Sequence, residues 1–314
     1  MCVRILLTLS LAFSAMGVVN GGSPAERPVS QDWMLRAQQA VGKGVPVEDL
    51  VREFARSHHD PEAFPAKSSE WTEPYLNLVP VDLDGDGVQE QVLFISGAYK
   101  DQTRVYVLKR RHDNWQIVYT HQAWAHNEPP PYDVLECGGG RHAVRFVHME
   151  AHGTGIWQYT NLFLRAVDGD VVCGLESVEE HNLALLGYNL NGNAHASKVT
   201  VHGDDLHVTY AYEFYAGFSL VEKLKVDAGN AKDGDLLVKG TAEVTYRWEP
   251  MARKYKVVSS PLSESQIRCF THLDDERLFG RAYRRELETL AKDGTPAQQS
   301  LARYFLRMIS RETR

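Results

Sequence analysis

From position 75 to 260 the chain alternates apolar and polar residues in short runs separated by turn residues, the period-two pattern of β-strands. It predicts strands at 76–81, 91–96, 104–109 and 115–120, the last two joined by Arg110-Arg111-His112-Asp113-Asn114 as a hairpin. A strand followed by a hairpin recurs at 143–148, 161–167 and 171–175, around Asp168-Gly169-Asp170. It recurs again at 206–214, 242–249 and 254–258, around Pro250-Met251-Ala252-Arg253. This order reads as three degenerate copies of one unit or as an ordinary meander.

The flanks follow a helical period. Ser30 is placed to cap a helix through Trp33, Leu35 and Ala40 that Gly42 and Gly44 stop, and Val47, Leu50, Val51 and Phe54 predict a second helix over 47–57. Pro61 and Pro65 mark a linker. Past Pro261, Asp274 or Asp275 caps a helix with Leu278, Tyr283, Leu287 and Leu290, and Gly294 ends it. Thr295-Pro296 then opens a last helix carrying Leu301, Tyr304, Phe305 and Met308. The basic residues Arg303, Arg307, Arg311 and Arg314 read as its solvated face.

The fold class expected is therefore mainly β: a propeller-like or sandwich-like β-meander with an N-terminal helical segment and C-terminal helices. The segments are 1–22, a signal peptide; 23–72, a helical segment and linker; 73–260, the β domain; and 261–314, the C-terminal helical segment. In the first, Arg4 precedes an apolar run over 5–15 and then small residues, shorter than the roughly 20 apolar residues of a membrane span. Cleavage is expected between Gly17 and Gly22, so the mature chain is exported to the periplasm or the medium and carries no transmembrane segment.

With 314 residues, 43% of them hydrophobic, the chain can bury a large core. Its 34 basic and 41 acidic residues give a net charge of −7 with no basic stripe, so nucleic acid is not an expected partner. Cys137, Cys173 and Cys269 remain after cleavage. In an oxidising compartment they read as one disulfide, Cys137 with Cys173, and one thiol, or as three buried thiols.

One motif carries chemistry. Asp82, Asp84 and Asp86 alternate, so on a straight strand they would stand about 6 to 7 Å apart and could not share an ion. Gly85 and Gly87 let the backbone curl, which can bring the three carboxylates, the Val88 carbonyl and Glu90 to the oxygen distances of about 2.3 to 2.6 Å that Ca2+ accepts. Without a cation the four acids repel one another. An EF-hand fails, because Leu93 holds the twelfth position and strands flank the loop.

Residues 81–94 instead resemble the calcium loops of FG-GAP and VCBS-type (integrin-like) repeats, in which a D-x-D-x-D-G-x-x-D loop joins two strands. The resemblance implies Asp82, Asp84 and Asp86 as side-chain ligands, Val88 as a backbone ligand, and Glu90 where the family has more often Asp. No second copy of the loop occurs, whereas a closed propeller needs at least about 4 blades.

Other constellations are weaker. His148 and His152 on a strand lie about 13 Å apart, too far to chelate one ion. His58-His59-Asp60 is a polar helix end, and Gly217-Phe218-Ser219-Leu220-Val221 lacks both the closing Gly and the strand-turn-helix setting of a nucleophile elbow. Asp204-Asp205 reads as a turn, and Tyr210, Tyr212, Phe214, Tyr215 and Phe218 as cross-strand packing.

No residue set makes a convincing active site. The function expected is that of an exported, non-enzymatic calcium-binding protein with a protein or glycan partner. A hydrolase of envelope or extracellular polymer, with carboxylates on an insert over 227–235, is one alternative. A periplasmic inhibitor or immunity-type protein is the other.

Overall fold

The structure, a computed structural model, describes residues 28–58, 74–96, 102–124, 130–225 and 235–311. The expected signal peptide, the 59–72 linker, His59-Asp60 and nearly all of the 227–235 insert lie outside them.

Short β1 (Val29–Ser30) leads into α1 (Gln31–Lys43) and α2 (Glu48–His58). Ser30 caps α1 by accepting from the Trp33 N–H at 3.1 Å, and Gly44 closes it at φ 62, where only glycine is unstrained. A first antiparallel sheet follows: β2 (Tyr75–Val81), β3 (Glu90–Ser96), β4 (Gln102–Arg111) and β5 (Asn114–Trp124), in the order β1-β5-β4-β3-β2. Every residue of β3 is buried. Its unbroken run Val92-Leu93-Phe94-Ile95 requires that, because alternate side chains enter two different cores. Leu93 and Ile95 pack with Trp33, Met34, Val51 and Phe54 of the helices, while Val92 and Phe94 pack with Val144, Phe146, Leu162 and Leu164 of the second sheet. Each such buried side chain contributes about 2 to 3 kcal/mol.

The second sheet is one continuous antiparallel meander of eight strands, β6 (Tyr132–Glu136), β7 (His142–Gly153), β8 (Ile156–Val167), β9 (Asp170–Leu183), β10 (Leu190–His202), β11 (Asp205–Ala216), β12 (Leu236–Glu249) and β13 (Lys254–Ser259). The second and third strand-then-hairpin groups both belong to it, so the meander reading holds and the repeat reading does not. Asp168 (φ 52) and Gly169 (φ 86) form the two-residue turn between β8 and β9, both left-handed as a type I′ hairpin needs. Register shifts near Glu150, Glu179, Ser197 and the ends of β11 and β12 add local twist. The sheet thereby curls into a half-barrel. β10 follows β9 for only four residue pairs, Gly192–His195 against Glu180–Leu183.

The curled sheet is filled by its own side chains and by α4 (Glu264–Cys269), α5 (Glu276–Ala282), α6 (Arg284–Asp293) and α7 (Pro296–Ser310). Tyr210, Tyr212 and Phe214 meet Phe270, Phe279 and Tyr283 there, so these three are core, whereas Tyr215 is half-buried against Glu213 and Phe218 is exposed. Asp275 caps α5 and Gly294 ends α6, but the single helix expected between them breaks at Tyr283 (φ −110, ψ 27), and Thr295 caps α7 in a capping box. Arg303, Arg307 and Arg311 are exposed. No helix among the described residues is long and apolar enough to cross a membrane.

Sequence reading missed the short α3 (Phe218–Leu224). It follows β11 directly, so Gly217 does sit at a strand-to-helix turn, contrary to expectation. Ser219 nonetheless donates its hydroxyl to the Leu186 carbonyl at 2.9 Å. The expected disulfide is also corrected: all three described cysteines are free. Cys137 meets Arg165 at 3.2 Å inside the half-barrel, whereas Cys173 packs toward the first sheet, so opposite faces of the sheet hold them apart. Burial pushes the Cys173 and Cys269 thiols up to about 12.

Where the sheets meet, His121 of β5 packs against His148 of β7 with ring centroids 5.3 Å apart. Burial, then His148 and Arg104, push His121 down to about 4, and burial lowers His148 as well. Below its ordinary pKa the unfolded chain takes up these protons and the folded one resists them, so stability is full above about pH 6.5 and is lost as pH falls toward 4. Urea midpoints measured from pH 7 to pH 4.5 should fall, with about 2 kcal/mol of the loss due to His121. His121→Phe should flatten that slope, and an unchanged slope would refute the assignment.

Candidate metal centre

The loop between β2 and β3 runs through Asp82-Leu83-Asp84-Gly85-Asp86-Gly87-Val88-Gln89. Gly85 (φ 76) and Gly87 (φ 82) take left-handed conformations, and at Gly85 a Cβ would lie 3.0 Å from the Gly139 carbonyl and from Arg141. Each carboxylate then folds back on the backbone. Asp82 accepts from the N–H groups of Gly85 (2.7 Å) and Gly87 (2.9 Å), Asp84 from Asp86 (3.2 Å), and Asp86 from Val88 (2.7 Å). These bonds turn the three side chains inward and leave lone pairs on their oxygens. One oxygen from each of Asp82, Asp84 and Asp86 lies within 4.8 Å of the others.

The other two expected ligands, Val88 and Glu90, flank this triad on the way into β3. Val88 is half-exposed and contributes its N–H to the Asp86 carboxylate. Glu90 is buried at the start of β3, where one oxygen accepts from Leu83 N–H at 2.9 Å and the other lies 3.1 Å from Lys109. Lys109 is the residue that sequence reading missed. Its ammonium pairs with Asp84 and Glu90 and lies 3.8 Å from Asp86. Burial alone would lower its pKa, but the hydrogen bonds to Asp84 and Glu90 outweigh that and hold it raised. The register of β3 on β4, with Gln91 opposite Leu108, is what sets Lys109 beside Glu90. The available signal was Lys109 ending the apolar run Val105-Tyr106-Val107-Leu108 of β4.

The loop also docks on the second sheet. The Asp82 carbonyl accepts from His142 N–H (3.1 Å) and lies 2.8 Å from its Nδ1. The turn it touches, Gly138–Gly140, is tied to the β10–β11 turn by Gly138 N–H to Gly203 carbonyl at 3.0 Å. Arg141 and the fully buried Arg165 share Asp204 at this corner, and Arg165 also donates to Tyr255 at 3.0 Å and stacks over Trp248.

Elsewhere the expected weak signals stay weak. A bulge at Glu150 separates His148, at the sheet seam, from exposed His152, and the Asp triad is the one such metal-capable cluster among the described residues. No family model and no curated protein sequence matches this chain.

An oxygen-only donor set of three converging carboxylates suits a hard divalent cation, and Asp82, Asp84 and Asp86 would hold it. Lys109 already pairs with Asp84 and lies near Asp86, so its ammonium would compete with such an ion for those carboxylates. Lys109→Met should therefore tighten Ca2+ binding at least tenfold in a calorimetric titration while lowering the melting temperature in chelator. Equal or weaker binding would exclude competition by Lys109.

Proposed function

We propose that this chain is an exported calcium-binding β protein, non-enzymatic, whose ion organises the corner between its two sheets and whose surface serves as an interaction module for a partner. The observation that carries the reading is the convergence of Asp82, Asp84 and Asp86 on a loop whose backbone grips the second sheet through His142. An ion there neutralises the loop and stiffens the joint, which is a scaffold's use of calcium. Export is proposed from the leader-like residues 1–22.

Lys109 favours a second reading, in which the loop is closed by the protein's own ammonium and takes no ion. The two separate cleanly. On the first, Ca2+ raises the melting temperature of the mature protein over that in chelator, and Asp84→Ala abolishes the rise. On the second, the curves coincide with and without calcium, and Asp84→Ala and Lys109→Met destabilise alike. For export, intact mass of the protein recovered from the periplasm or medium should show a new N-terminus between Gly17 and Gly22; a chain retaining residues 1–16 would overturn it.

A further inference from the structure

We propose that the outer face of the curled sheet, across β8 to β12, is a platform for a neutral polysaccharide; this rests on the interaction-module reading and names its partner. Strand register sets two rows across the sheet. In one, Trp157, Asn182, Asn193, Glu213 and Lys239 stand directly opposite one another on successive strands. At about 4.8 Å per strand this row is about 19 Å long. The second row starts with Tyr159 and Glu180, continues through His195, and drops at Ala211 before Thr241. Because Ala211 is small, a cleft of about 340 Å³ opens there between His195, Glu213, Lys239 and Thr241, with Asn193 at its side.

The chemistry selects the occupant. Along these two rows the backbone groups are committed to the ladder, including the four pairs that join Gly192–His195 to Glu180–Leu183, so recognition there falls to side chains. Two aromatic rings at one end offer apolar faces to the C–H side of a sugar ring. Amides, carboxylates and an imidazole along the rows offer donors and acceptors to its hydroxyls. Asn193 Oδ1 is buried without a hydrogen-bond partner among the described residues, an acceptor that a small side-chain rotation would present to a ligand hydroxyl. Glu213 is already paired with Lys239 and accepts from the Tyr215 hydroxyl, while Glu180 takes the Trp157 indole N–H at 2.9 Å. Two carboxylates against one ammonium disfavour a polyanion.

The test is titration of the mature protein with cellohexaose and chitohexaose, with a heparin hexasaccharide for comparison, by calorimetry and amide NMR in calcium and in chelator. A neutral hexasaccharide is expected to bind, with Trp157→Ala weakening it at least tenfold. Thr241→Trp, which fills the cleft from an exposed position, should weaken it as much at an unchanged melting temperature. No binding at millimolar sugar, tighter binding of the heparin fragment, or affinity that both variants leave intact would overturn the proposal. So would a dimer in sedimentation that Thr241→Trp disperses, since the face would then belong to a second copy. Calcium stabilisation without sugar binding removes this proposal and leaves the calcium reading; sugar binding by a protein indifferent to calcium does the reverse.

Discussion

The Asp82 carbonyl faces both the backbone N–H and the imidazole of His142, and this contact decides how the two sheets meet. The first sheet is buried on both faces, so its outline is fixed by packing against α1 and α2 on one side and the second sheet on the other. Apolar packing is tolerant of small slides, whereas a buried hydrogen bond is directional. The loop contact therefore sets the angle and register of a joint whose energy comes from Phe94, Val144, Phe146 and their neighbours. Tyr132 adds a second pin by stacking on Phe94 with centroids 5.0 Å apart and accepting from Asn77.

That joint brings unlike charges together in one place. The acidic loop lies against Arg141, reaches Lys109 across the first sheet, and neighbours the corner where Arg165 and Arg141 share Asp204. Arg165 is tolerated in the half-barrel because four groups answer it: the Asp204 carboxylate, the Tyr255 hydroxyl, the Cys137 sulfur and the face of Trp248. Removing any one partner would leave a buried charge short of compensation. The same corner thus holds the loop, the β6–β7 turn and the β10–β11 turn as one electrostatic unit, and a divalent ion in the loop would act on all three.

Much of the fold was legible along the chain. Alternation placed most strands, Ser30, Asp275 and Thr295 capped the helices as read, and Gly44 and Gly294 ended them, because these signals act within a few residues of themselves. The strands β1, β6 and β10 and the helices α3 and α4 were missed. In β10, Asn191, Gly192 and Asn193 resemble a turn and become a strand only because two neighbours supply its ladder. The strand-then-hairpin repetition was a true pattern with a different cause, since any antiparallel meander repeats its turns.

By itself the sequence determined the mainly β class, the helical flanks, and an acidic loop whose glycines let it curl, all of them consequences of local period and local backbone freedom. The tertiary structure decided what local signals cannot contain. It set Lys109 against the loop through the register of β3 on β4, separated Cys137 from Cys173 onto opposite faces of a sheet, and carried the loop to His142. Each of these depends on which strands become neighbours and at what offset, a quantity fixed by the burial of whole faces and not by any one segment.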